Sequence, residues 1–84
     1  MQTRILFFGA LKEAAGVSER MEALPPSVTT PDMLIEYLAA DDPRLMAALQ
    51  APSIRIAVDQ EIMQRDDIIG APSEVAFMPP FSGG

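Results

Sequence analysis

Two short stretches, one near each end of the chain, constrain its fold more than anything else. Arg4-Ile5-Leu6-Phe7-Phe8 and Glu74-Val75-Ala76-Phe77-Met78 both read as strands. Successive side chains of a strand point to opposite faces. Ile5 and Phe7 therefore share one face and Leu6 and Phe8 the other. Val75 and Phe77 likewise oppose Ala76 and Met78. Both faces are apolar in both strands, whereas a sheet covered by helix on one side shows polar residues on its open side. A second layer has to come from somewhere. The short helix expected near residues 10–15, or the segment at 43–50, is one source. A protein partner seated on Phe8 and Met78, with Lys12 and Glu13 at the rim, is the other.

Between these strands the local signals are clear. Ala10-Leu11-Lys12-Glu13-Ala14-Ala15 is a short helix, stopped by Gly16. Glu19-Arg20-Met21-Glu22-Ala23-Leu24 alternates polar and apolar like a half-buried strand, and Pro25-Pro26 ends it. Thr30-Pro31-Asp32 opens a helix: the hydroxyl caps free amides, proline fits the first turn and the carboxylate suits the positive end of the dipole. Leu34, Ile35 and Leu38 share a face of that helix. Asp42-Pro43 repeats the start signal, with Leu45, Met46 and Leu49 as the next stripe, so residues 31–50 carry one helix and a further helical turn or two. Ile54 to Val58 is a strand with Ile54, Ile56 and Val58 on its apolar face. Asp59-Gln60 is a turn and Glu61-Ile62-Met63 a short return strand. In the loop that follows, Ile68 and Ile69 are expected to plug the core. The order predicts an α+β domain, a mixed sheet wrapped over one main helix, with the first and last strands paired at its centre. The folded domain spans 1–78 and an extended tail 79–84.

Composition narrows the chemistry. The 84 residues contain no cysteine and no histidine, so neither a thiolate metal site nor a histidine-based nucleophile can be built, and no metal is expected. Twelve acidic and six basic residues give a net charge of -6, which argues against nucleic acid, whose phosphates require a basic patch. No apolar run reaches the ~20 residues that span a bilayer. Met1-Gln2-Thr3-Arg4 lacks the charged lead and cleavage site of a signal peptide, so no membrane contact and a cytoplasmic location are expected.

The chain ends Pro79-Pro80-Phe81-Ser82-Gly83-Gly84. Six extended residues reach about 20 Å, far enough to enter a neighbouring protein's active site. The prolines hold the base of such an arm extended and cannot donate to the sheet ladder. Gly83 and Gly84 pass through a tunnel only as wide as a backbone. Activated with ATP to an acyl-adenylate, the Gly84 carboxylate becomes an electrophile, captured by sulfur as a thiocarboxylate or by an amine as an amide. The plain alternative is an idle terminus.

Three stretches carry a family resemblance. Ile5-Leu6-Phe7-Phe8-Gly9 with Lys12-Glu13 and Gly16, Ala57-Val58-Asp59-Gln60, and above all Glu74 through Gly84 resemble the small subunit of molybdopterin synthase, a MoaD-type sulfur carrier of the ThiS/MoaD family. Between about Val17 and Ser53 the likeness is weak. The resemblance implies a ubiquitin-like β-grasp fold. It implies that an E1-like activating enzyme (MoeB-type) adenylates Gly84 with ATP, and that a sulfur donor converts it to a thiocarboxylate. It further implies that Pro79, Pro80, Phe81, Ser82 and Gly83 thread into the large synthase subunit (MoaE-type). There sulfur passes to cyclic pyranopterin monophosphate, precursor Z, to build the molybdopterin dithiolene in two rounds within a heterotetramer. By matched position Phe8, Lys12 and Met78 fall at the partner interface. The chain would be a co-substrate with no bound cofactor and no catalysis of its own. Met78 stands where an aromatic is common, Ser82 replaces threonine, Asp59 replaces asparagine, and Gly70-Ala71-Pro72-Ser73 replaces an Asp-Gly-Asp turn. A carrier for another pathway, such as the thiamine thiazole type, a ubiquitin-like modifier of lysines and a non-covalent interaction domain stay open. The doubled proline favours the first reading over the thiamine type, by resemblance alone.

Overall fold

A computed structural model describes residues 2–80. Five strands and three helices follow one another as β1 (Thr3–Phe7), α1 (Ala10–Ala15), β2 (Glu19–Glu22), α2 (Pro31–Leu38), α3 (Pro43–Gln50), β3 (Arg55–Val58), β4 (Glu61–Met63) and β5 (Glu74–Met78). The strands form one mixed sheet in the order β2-β1-β5-β3-β4. β1 and β5 are parallel and adjacent at its centre, and every other pairing is antiparallel. This is the expected α+β architecture, with the two doubly apolar strands in the middle.

The helix starts form by the chemistry their residues supply. Thr30 Oγ1 accepts from the Met33 amide at 3.2 Å and Asp42 Oδ1 from the Leu45 amide at 3.1 Å, each cap stabilising its helix by about 1 kcal/mol. Gly16 closes α1 in the left-handed conformation, φ 79°, its N–H donating to the Lys12 carbonyl. The segment after Asp42 is more than a turn or two. Its eight residues match the length of α2, and Leu45 and Leu49 are buried.

All three helices lie on one side of the sheet. Ile5, Phe7, Ile56, Val58, Val75 and Phe77 meet Leu11, Leu34, Ile35, Leu38, Leu45 and Leu49 in a single core. The rings of Phe7 and Phe77 stack at its centre, centroids 5.9 Å apart. Neither α1 nor α3 covers the second face, because each commits its apolar side to the core that α2 also fills.

Three expectations are corrected. Ile69 is buried, but Ile68 is 72% exposed, since adjacent residues in an extended loop cannot both point inward. Met21 is 51% exposed: its pairing with Arg4 sets it on the open face, while Arg20 and Glu22 turn the other way and bridge each other at 2.7 Å. The alternation of β2 was real, but its apolar phase faces outward. Leu24 lies beyond β2, partly buried against the core.

The turn joining β3 to β4 has positive φ at both Asp59 (47°) and Gln60 (72°), as tight hairpins require. Asp59 Oδ1 accepts from the amides of Ser73 and Glu74, both at 3.0 Å, and the Asp59 amide donates to the Glu74 carbonyl. One carboxylate thereby ties the hairpin to the start of β5. Thr3 Oγ1 fastens the same loop from the other side, donating to the Pro72 carbonyl at 2.7 Å. We expect Asp59→Ala to lower stability by about 1 kcal/mol and Asp59→Asn by less, since asparagine keeps an acceptor and tolerates positive φ. Urea titration of the two variants checks this, and equal losses would contradict it.

Candidate functional site

The uncovered face is built by register. Leu6 lies beside Ala76, and Ala76 beside Ala57. Arg4 pairs with Met21, and Ala57 with Ile62. Phe8 lies one residue beyond the Phe7–Phe77 pair, and its amide donates to the Phe77 carbonyl at 3.1 Å. Phe8 and Met78 are therefore neighbours on this face. Phe8 is 47% exposed and Ile62 54%, whereas Met78 is half-buried. Ala76, between Leu6 and Ala57, is buried although no helix lies over this face.

Lys12, exposed on α1, borders a shallow depression of about 270 Å³ together with Leu6, Phe8, Gly9, Ser18 and Glu19. The structure thus brings Phe8, Lys12 and Met78 to one region at the end of the sheet from which the chain departs. Pro79 follows β5 directly and packs against Gly9, and Pro80 is exposed. Phe81, Ser82, Gly83 and Gly84 lie outside the described residues.

Register sets Arg4 and Arg55 on this face together with Glu19, beside Leu6, and Glu74, beside Arg4, and Lys12 borders it from α1. Arg4, Lys12 and Arg55 are three of the chain's six cations. Arg4 reaches Glu19 at 4.0 Å, a solvent-exposed contact of little energetic weight. Lys12 and Arg55 make no ion pair among the described residues. An apolar strip with free cations beside it suits a partner that offers apolar side chains and carboxylates. Met21, Ile62 and Arg55 belong to this face, yet reading the sequence did not single them out. Their place depends on which residue of a neighbouring strand each one meets.

Among the described residues no three potential metal ligands cluster, every buried side-chain N or O atom has a hydrogen-bond partner, and no helix is long and apolar enough to cross a membrane.

Similarity to known proteins covers the same ground and the tail as well. The ThiS family model matches residues 5–84. The molybdopterin synthase sulfur carrier subunit of Chlamydomonas reinhardtii is 34% identical, with all of both chains covered. That of Mycobacterium tuberculosis is 32% identical, covering 100% of this chain and 99% of the relative. Among solved structures, SAMP1 from Haloferax volcanii superposes over the full length of both chains with a TM-score of 0.79 at 21% identity, a likeness of fold that identifies the sheet and helices as a ubiquitin-like β-grasp. Taken with the open face, the diproline and the terminal glycines, these matches show that the chain belongs to the ThiS family, alongside the sulfur carrier subunits of molybdopterin synthase.

Proposed function

We propose that this chain is the sulfur carrier subunit of a molybdopterin synthase and that Gly84 is the residue it charges. The observation that carries this is the full-length match to carrier subunits, running through the terminal glycines. The Gly84 carboxylate attacks the α-phosphorus of ATP in an E1-like activating enzyme, expelling pyrophosphate. A sulfur nucleophile then attacks the acyl carbon and AMP leaves, giving a thiocarboxylate. In the large synthase subunit the thiocarboxylate sulfur bonds to a carbon of precursor Z as the oxygen substituent on that carbon leaves with the C–O electron pair. Hydrolysis of the resulting acyl link returns the carboxylate, so each charged carrier delivers one of the two dithiolene sulfurs. The chain acts as a recycled co-substrate in the cytoplasm. Its own residues supply docking and reach: Phe8 and Met78 as the apolar contact, Lys12 as a cation for a partner carboxylate, Pro79 through Gly83 as the inserted arm.

The test is intact mass after incubation with the activating enzyme, ATP and a sulfide source. One oxygen-to-sulfur exchange at the C-terminus is expected. An unchanged mass beside a competent control carrier would refute the reading, and amide-linked conjugates to lysine would replace it with that of a protein modifier. Docking has its own test. Phe8→Asp places a charge on the apolar strip without touching the core, so affinity for the large subunit should fall about tenfold or more with little change in melting temperature. Unaltered affinity would remove Phe8 from the interface.

A further inference from the structure

Gly9 joins β1 to α1 with φ 57° and ψ -134°, a combination nearly closed to residues that carry a Cβ. The space beside it is occupied as well. A Cβ at this position would lie 2.9 Å from Pro79 Cγ and 3.6 Å from Pro79 Cδ, the first distance well inside van der Waals contact. The backbone around Gly9 is pinned on both sides: the Phe8 amide donates to the Phe77 carbonyl at 3.1 Å and the Lys12 amide to the Gly9 carbonyl at 3.1 Å. Pro79 is stiff in its turn, because its ring restricts φ and it has no N–H to engage the ladder. A rigid ring thus rests on a bare backbone at the point where the chain leaves the sheet.

We propose that Gly9 is a positioning residue for the carrier reaction, its missing side chain forming the seat that fixes the direction in which Pro79 sends the C-terminal arm. The role rests on the carrier function proposed above and concerns orientation. Phe8 and Met78 make the docking contact, and the Gly9–Pro79 seat aims the carboxylate once docking has occurred. Misplacing a reacting group by about an ångström can lower a rate by ~10²-fold. A seat defect should therefore appear in turnover rather than in affinity.

Steady-state charging of the full chain by its activating enzyme, ATP and sulfide provides the first readout. In Gly9→Ala, kcat should fall at least tenfold while the KM for the carrier stays within about twofold, and adding Pro79→Ala to that variant should recover part of the loss. Unchanged kcat, or a fall that matches only a loss of folded protein, would overturn the assignment. Should Gly9→Ala fail to fold, Pro79→Gly removes the ring while leaving Gly9 intact, and the same split is expected. The second readout does not depend on activity. Because the chain lacks cysteine, one appended after Gly84 takes a single spin label. Amide broadening should fall on a compact set of residues in the native sequence and on a different or wider set in Gly9→Ala or Pro79→Gly. An identical pattern would overturn the seat. Failure of the native sequence to charge would refute the carrier function instead, and the label would still decide the geometry.

Discussion

Deleting Gly84 should abolish sulfur loading and leave the melting transition where it is in the full chain. The shortened chain ends at Gly83, so its carboxylate is withdrawn by about 3.3–3.6 Å, one residue of extended backbone. Adenylation needs the carboxylate oxygen within reach of the α-phosphorus, and a displacement several times larger than an ångström lowers the rate by more than ~10²-fold. Stability should hold because, among the described residues, the last core member in sequence is Phe77 and β5 ends at Met78. Intact mass after charging, paired with a thermal melt, measures both halves of the expectation. Charging of the truncated chain at the normal rate would show that the activating enzyme tolerates a shorter arm. A lowered melting temperature would show that the terminus contributes to the fold.

Phe77→Ala should produce a large stability loss and act in the opposite sense, the fold failing before the tail is affected. Phe77 is 0% exposed and stacks on Phe7 where β1 and β5 pair. Truncating such a ring costs about 3–5 kcal/mol in transfer and cavity terms. A domain of 84 residues has ~4–13 kcal/mol in all, so the variant loses a large part of its margin. For a domain this size each kcal/mol lowers the midpoint by about 4–8 °C, so a drop of about 12 °C or more is expected. Phe8, one residue past Phe7 and on the other face, makes the control. Phe8→Ala should cost about 1 kcal/mol or less, because the ring is already half in water. A small loss at Phe77, or equal losses at the two sites, would mean that the core is not centred on the pairing of β1 with β5.

Phe7 and Phe8 also show how much of the protein is legible in its sequence. Wherever a neighbour within a few residues decides conformation, the sequence is sufficient. Thr30-Pro31 and Asp42-Pro43 start helices because the capping oxygen reaches an amide three residues ahead. Gly16 stops one because it alone adopts left-handed backbone there without penalty. The bounds of β5 match those read from Glu74-Val75-Ala76-Phe77-Met78, and the element order correctly predicted that β1 and β5 pair at the centre of the sheet. The tail motif and the β-grasp resemblance were legible in the same way.

Tertiary structure decided everything that depends on register across the sheet or on contact between distant residues. Which of two apolar faces stays open followed from all three helices having only one apolar side each, spent on a common core. Met21 turned outward and Ile68 stayed in solvent because pairing and loop path, not local hydrophobicity, set their direction. The bond from Asp59 to the amides at 73 and 74, and the seat that Gly9 makes for Pro79, join residues 14 to 70 positions apart. Local sequence determined the elements of this protein, because backbone preference and capping act within a turn or two. The open face and the contact between Gly9 and Pro79 required the fold, because only strand pairing brings the beginning of the chain beside its end.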